Sequence, residues 1–247
     1  MIITVANPKG GVGKTTTCLN LGAISVYHGK RTCLIDYDPK ANLTEALIET
    51  TASIPTITDL LFYYTSFIEI CLPVQDNFFL VPARQELTGF TRPQQEVLRQ
   101  TYSLKEKLSP YVKDFDLILI DTPPALSSLT IEAISIADGI LIPTQATYFC
   151  LKILPDFLQF CTKRPFDSKS KFIKAFITMS HRHSSVSEEI QRIIREKFDT
   201  TLLSATIHHH IQLEESPASA QSIVTYDPNS MATQEYEALY LELQSIR

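Results

Sequence analysis

"IITVA" (residues 2–6) runs straight into "NPKGGVGKTTTCLNL" (7–21): an unbroken apolar run, a turn rich in glycine and lysine, then a helical pattern. A strand feeding a glycine-rich turn at the start of a helix is a phosphate-binding arrangement, because the first backbone N–H groups of a helix have no intrahelical partners. In "GGVGKT" (10–15), Gly10, Gly11 and Gly13 let N–H groups converge on phosphate oxygens with no Cβ in the way. Lys14 supplies a mobile cation and Thr15 a hydroxyl for Mg2+. A merely capping glycine turn does not account for a lysine and two threonines directly after the glycines. Nucleotide binding follows, and Lys9, ahead of the first glycine, is left without a task.

Two further constellations belong beside this loop. "DLILID" (116–121) puts Asp121 at the C-terminal edge of an apolar strand, ahead of the stiff "TPP", where a phosphate-loop enzyme needs a carboxylate to organise Mg2+. A helix-capping role for Asp121 would rival this only without "GGVGKT". "DYDPKANLT" (36–44) carries Asp36 and Asp38 at the end of a second strand. Taken alone, "DYDP" reads as a turn. Beside a phosphate loop, one of its acids points at the nucleotide and orients the attacking water.

Outward from these motifs, apolar runs recur at 32–38, 78–83, 116–121, 139–144, 174–179 and 202–207, with helical patterns at 14–29, 188–198 and 230–246. Alternating strand and helix calls for an α/β fold: a mostly parallel, twisted sheet with right-handed crossovers and helices on both faces, the P-loop NTPase architecture. No repeat or linker-like shift divides the chain, so residues 1–247 are expected to form one domain. The stretch from about Thr50 to Ser109 is the least regular and reads as helices over the sheet. With an apolar strand near the start and a helical pattern near the end, no appended helix-turn-helix or membrane anchor is expected.

Composition narrows the function. Hydrophobic residues make up 44% and charged residues 20%, enough for a sizeable core. The net charge of −5, from 22 basic and 27 acidic side chains, excludes a broadly basic nucleic-acid footprint, so any DNA contact must come from local clusters. The five cysteines are odd in number and form no CxxC pair, which reads as free thiols and leaves no ligands for a shared metal cluster. With no signal-like start and no run of 18 apolar residues, the expected compartment is the cytoplasm.

"KGGVGKTT" with its extra lysine, "DYDPKANLT" and "FDLILIDTPPALSSLTIEAISIAD" together resemble the deviant Walker A ATPases, specifically the ParA/Soj-type partition proteins. The likeness runs nearly end to end, through "NFFLVPA", "GILIPTQATYF", "FITM" and "VTYDP". It implies a slow, Mg2+-dependent, partner-stimulated ATPase for chromosome or plasmid partitioning. Two subunits would close over two ATP molecules as a homodimer, and hydrolysis would reset it. By that resemblance Lys9 reaches into the neighbour's site and Gly10 keeps the dimer face close. Gly11, Val12, Gly13, Lys14, Thr15 and Thr16 hold ATP, with Lys14 on the β/γ-phosphates. Thr15, Asp121 and a supporting Asp36 hold Mg2+, and Asp38 aligns the water. Met179, Ile207 and His208 lie at the base. It also implies a ParB-type stimulating partner and association with the nucleoid through non-specific DNA.

The DNA-binding segments depart from the family pattern. "IHHHIQLEESPASAQ" (207–221) has His209, Gln212 and Gln221 where basic residues are common, "YDPNSMA" (226–232) lacks two arginines, and His183 replaces another. Arg182, Lys169, Lys171 and Lys174 are nearby in sequence, yet the basic surface is thinned, so DNA binding is expected to be weak or altered. An alternative is therefore a nucleotide-gated protein-positioning switch with little DNA binding. A MinD-like membrane ATPase is a further alternative, but the closing "YLELQSIR" lacks the basic face of a lipid-binding helix. His208, His209 and His210 invite a metal reading, with His181 and His183 as further ligands. Consecutive residues alternate sides in a strand and no cysteine or carboxylate pair has ligand spacing around them, so they read instead as a loop near the adenine.

Overall fold

The apolar runs become strands wherever both faces can be covered. In the computed structural model, residues 1–48, 54–63, 65–85, 87, 103–162, 172–181 and 185–246 are described. Eight strands form one sheet: β1 (Ile2–Val5), β2 (Thr32–Asp36), β3 (Leu72–Gln75), β4 (Phe78–Val81), β5 (Leu117–Asp121), β6 (Gly139–Gln145), β7 (Phe172–Ser180) and β8 (Leu202–His208). Their order across the sheet is β3-β4-β2-β5-β1-β6-β7-β8. All neighbours pair in parallel except β3 with β4. β1, β2 and β5 are buried along their whole length, as unbroken apolar runs require.

Helices cover both faces. They are α1 (Lys14–Tyr27), α2 (Asn42–Glu45), α3 (Ile57–Phe62), α4 (Phe67–Ile70), α5 (Leu104–Leu108), α6 (Ser128–Ile136), α7 (Cys150–Thr162), α8 (Ser185–Phe198), α9 (Gln212–Ala218), α10 (Ile223–Tyr226) and α11 (Met231–Ser245). One core lies between the sheet and α1 with α11, joining Leu19 and Ile24 to Leu34, Leu119, Tyr236 and Leu239. On the other face, Ile35, Ile118 and Ile120 pack with Leu60, Leu104, Leu129 and Ala133.

The fold class read from sequence is the one observed, and the irregular stretch is corrected in part. Besides the short α3, α4 and α5 it contributes β3, whose "LPVQ" is only half buried and includes a proline. Such a segment suits a sheet edge and carries little apolar signal.

α11 closes the β8 side. Tyr236, Leu239, Tyr240 and Leu243 face the core, while Glu242 accepts the backbone N–H groups of Ser204 and Ala205 at 2.7 and 2.8 Å. The final helix therefore packs on the domain, as its composition suggested. Among the described residues no helix is long and apolar enough to cross a membrane. Cys18, Cys33, Cys71, Cys150 and Cys161 are all free thiols.

Candidate functional site

The sheet gathers the sequence motifs at one edge. β1 lies between β5 and β6, so the turn after Val5 emerges at the carboxyl ends of the central strands, where open α/β sheets place ligands. Gly11 and Gly13 stand at φ of +67° and +84°, a region open to glycine at no steric cost. α1 begins immediately beyond, and the Thr17 hydroxyl donates to Gly13 O at 2.6 Å. The loop is braced from β7 by the Thr178 hydroxyl, which donates to Val12 O at 2.9 Å.

Its two lysines occupy different seats. Lys14 is buried, with Nζ donating to Lys9 O at 3.2 Å, curled inside the loop. Lys9 lies against β6, where Nζ donates to Gln145 Oε1 at 2.8 Å. Its backbone is fixed separately: Lys9 N donates to Asn7 Oδ1 at 2.9 Å, and Asn7 Nδ2 donates to Pro143 O at 2.8 Å. Burial pushes the Lys14 ammonium below the usual lysine range, and the Asp121 and Asp38 carboxylates oppose that shift.

The acids meet because β2 and β5 pair with Asp36 directly beside Asp121. Asp121 Oδ2 accepts from the Thr15 hydroxyl at 2.6 Å, and Asp121 Oδ1 is buried with no hydrogen-bond partner. Asp36 accepts from Thr44 N, the Thr44 hydroxyl and Asp38 N at 2.8, 2.7 and 3.1 Å. Burial foremost pushes the Asp36 carboxyl up to about 7 against those hydrogen bonds. Burial first, then Asp36, pushes Asp121 well above the carboxylate range while the Thr15 hydroxyl opposes. Two buried acids, Asp36 and Asp121, each pushed up further by a neighbouring carboxylate and one of them with an unpartnered oxygen, fit a hard divalent cation such as Mg2+.

The base-side residues are less uniform. Met179, at φ +51°, packs its terminal methyl against the loop, 3.8 Å from where a Cβ on Gly13 would stand. The Ile207 side chain is buried in the core. The His208 side chain is held by Glu235 of α11. Arg182, His183, Lys169 and Lys171 lie outside the described residues.

Sequence reading missed Asn7, Thr44, Thr178 and Gln145. Gln145 is the most connected: besides holding Lys9, its Nε2 donates to Gly11 O at 3.1 Å and to Met179 Sδ at 3.0 Å. A glutamine closing the apolar run "GILIPTQ" is a polar break at a strand's carboxyl end, the one signal that could have marked it.

With this geometry in hand, the chain can be compared with known proteins. An AAA domain family model matches residues 1–174. The sporulation initiation inhibitor protein Soj of Bacillus subtilis is 30% identical over 98% of this chain and 97% of its own. The chromosome-partitioning ATPase Soj of Treponema pallidum is 31% identical over 98% and 96%. Among solved structures, an apo McdA from Cyanothece covers 98% of both chains with a TM-score of 0.81 at 23% identity, a likeness of fold.

Proposed function

Because the chain belongs to the ParA/Soj-type ATPases of the ParA/MinD superfamily, we propose that it is a Mg2+-dependent ATPase of chromosome or plasmid partitioning whose ATP state is a sandwich homodimer. The observation that carries this reading is the separation of the two lysines. Lys14 sits inside the loop, poised for the β/γ-phosphates of its own nucleotide. Lys9 sits outside it on Gln145, free to exchange that neutral partner for a phosphate across a subunit interface. Gly10 supports the same reading. Among the described residues a Cβ there would meet only Pro124, at an ordinary 3.6 Å, so none of them demands glycine, whereas a close second subunit would.

In this proposal Thr15 and Asp121, with Asp36 in support, would hold Mg2+, which would supply positive charge to offset that of the phosphates. Asp38, just past the end of β2, aligns the attacking water, and its backbone is pinned by Asp36 at 3.1 Å. Met179, His208 and the Ile207 backbone border the base. A ParB-type partner would stimulate turnover. The expected setting is the cytoplasm, with nucleoid association as strong as the thinned basic surface permits.

Sedimentation with ATP and with ADP tests the dimer. Wild type and Asp38→Ala should dimerise with ATP and not with ADP, and Lys9→Ala should bind ATP yet dimerise weakly and hydrolyse poorly. A monomer in every condition overturns the sandwich. Undiminished turnover in Lys9→Ala overturns the role of that lysine.

A second reading, a nucleotide-gated positioning switch with little DNA binding, is favoured by one observation. Near the departing segments, the described cations are engaged within the chain: Lys174 Nζ donates to Thr200 O at 2.6 Å, and Arg195 bonds Leu203 O, Ser204 O and Thr206 Oγ1. ATPase rates with and without duplex DNA separate the two.

A further inference from the structure

The histidine run does not end where its sequence suggested. His208 and His210 both reach Glu235, while His209 turns away to His181 and Glu214. His209 stacks on His181, with ring centroids 5.3 Å apart, and pairs with Glu214 at 3.2 Å. His208 Nδ1 lies 2.6 Å from Glu235 Oε1, and His210 Nε2 lies 2.8 Å from Glu235 Oε2. The carboxylate that no nearby spacing offered comes from α11.

We propose that His208, His210 and Glu235 form a binding site for a zinc-class divalent cation, separate from the phosphate loop. Their ligand atoms lie within 4.8 Å of one another. Two imidazoles and one carboxylate are a donor set that suits Zn2+ and its neighbours in the transition series more than Mg2+. The side chains are sheltered without being sealed, at 26%, 14% and 11% exposure for His208, His210 and Glu235.

The backbone sets the ligands in place. His208 ends β8 and donates its N–H to Glu235 Oε2 at 2.8 Å, while His209 N donates to Ser180 O at 2.9 Å, fixing the turn that returns His210 to the same side. Tetrahedral zinc ligands at about 2.0–2.1 Å from the ion lie roughly 3.4 Å apart. Each histidine–glutamate pair must therefore open by less than about 1 Å, and the two histidine nitrogens, within 4.8 Å of each other, close by at most about 1.4 Å, a side-chain adjustment. Binding exchanges two hydrogen bonds for two nitrogen–metal bonds, and each neutral imidazole then carries its proton on the other ring nitrogen.

The test uses tag-free, chelator-washed protein in excess Mg2+, so that the acids at the phosphate loop are occupied. Competition against a chromophoric chelator should show one Zn2+ per chain with affinity on the order of micromolar or tighter. Co2+ should give the intense visible bands of low coordination. His210→Ala and Glu235→Gln should each weaken binding at least tenfold or so, while His209→Ala should stay within about threefold. The site is wrong if wild type binds no stoichiometric Zn2+, if His209→Ala loses as much as His210→Ala, or if the Co2+ spectrum shows thiolate charge transfer. Should Glu235→Gln fail to fold, His210→Ala and the wild-type spectrum still decide.

Discussion

Asp121 is buried and Glu235 is sheltered at 11% exposure, both on the α1 and α11 face of one sheet, and the two carboxylates are satisfied in opposite ways. Asp121 has one hydroxyl donor, a bare oxygen and two acidic neighbours. Glu235 holds a backbone N–H and two imidazole nitrogens. An unpaired buried oxygen is costly, and under the proposed function a cation supplied with nucleotide would relieve that cost at Asp121. Glu235 needs nothing added, and a metal there must displace hydrogen bonds already made. The two sites should accordingly respond to different ions, Mg2+ at Asp121 and zinc-class ions at Glu235.

That contrast can be broken from either side. The largest effect is expected at Asp121→Ala: loss of Mg2+-dependent ATP affinity on the order of 100-fold and turnover near background, because one carboxylate serves both Thr15 and the cation. Titrating nucleotide with and without Mg2+ measures it, and an unchanged Mg2+ effect would mean that the bare oxygen marks no metal. Next comes Asp38→Ala, where turnover should fall about 100-fold while ATP affinity holds within a few-fold, separating an acid that positions water from one that holds Mg2+. Equal losses of affinity in both variants would erase that distinction. The smallest effect is expected from Glu242→Gln on the β8 side, costing roughly 1–2 kcal/mol in thermal unfolding, since Glu242 binds two backbone N–H groups. Zn2+ affinity should be unchanged. A parallel loss of Zn2+ binding would show that the Glu235 cluster depends on the docking of α11 rather than on its own ligands.

How far the sequence could be read follows from the range of the interactions. The placement of the glycine-rich turn, Asp36 and Asp121 at the carboxyl ends of β1, β2 and β5 was legible because each is set by its own short apolar run and the residues directly after it. β2 stops at Asp36, short of the apolar run that reads to 38, because the Asp36 carboxylate captures the Asp38 N–H and turns the chain. β3 was hidden by its proline and half-burial. Gln145 meets Gly11 across 134 residues and Glu235 meets His208 across 27, contacts that no local pattern encodes. The histidines themselves were legible, and so was their alternation. Only the packing of α11 decides what two of them face.

That packing also bears on solubility. β8 is an outer strand, and a bare row of main-chain donors there would invite another chain to extend the sheet. Glu242 takes the N–H groups of Ser204 and Ala205, and Glu235 that of His208. Two acidic side chains from α11 thus act as terminators of strand growth at this edge of the sheet.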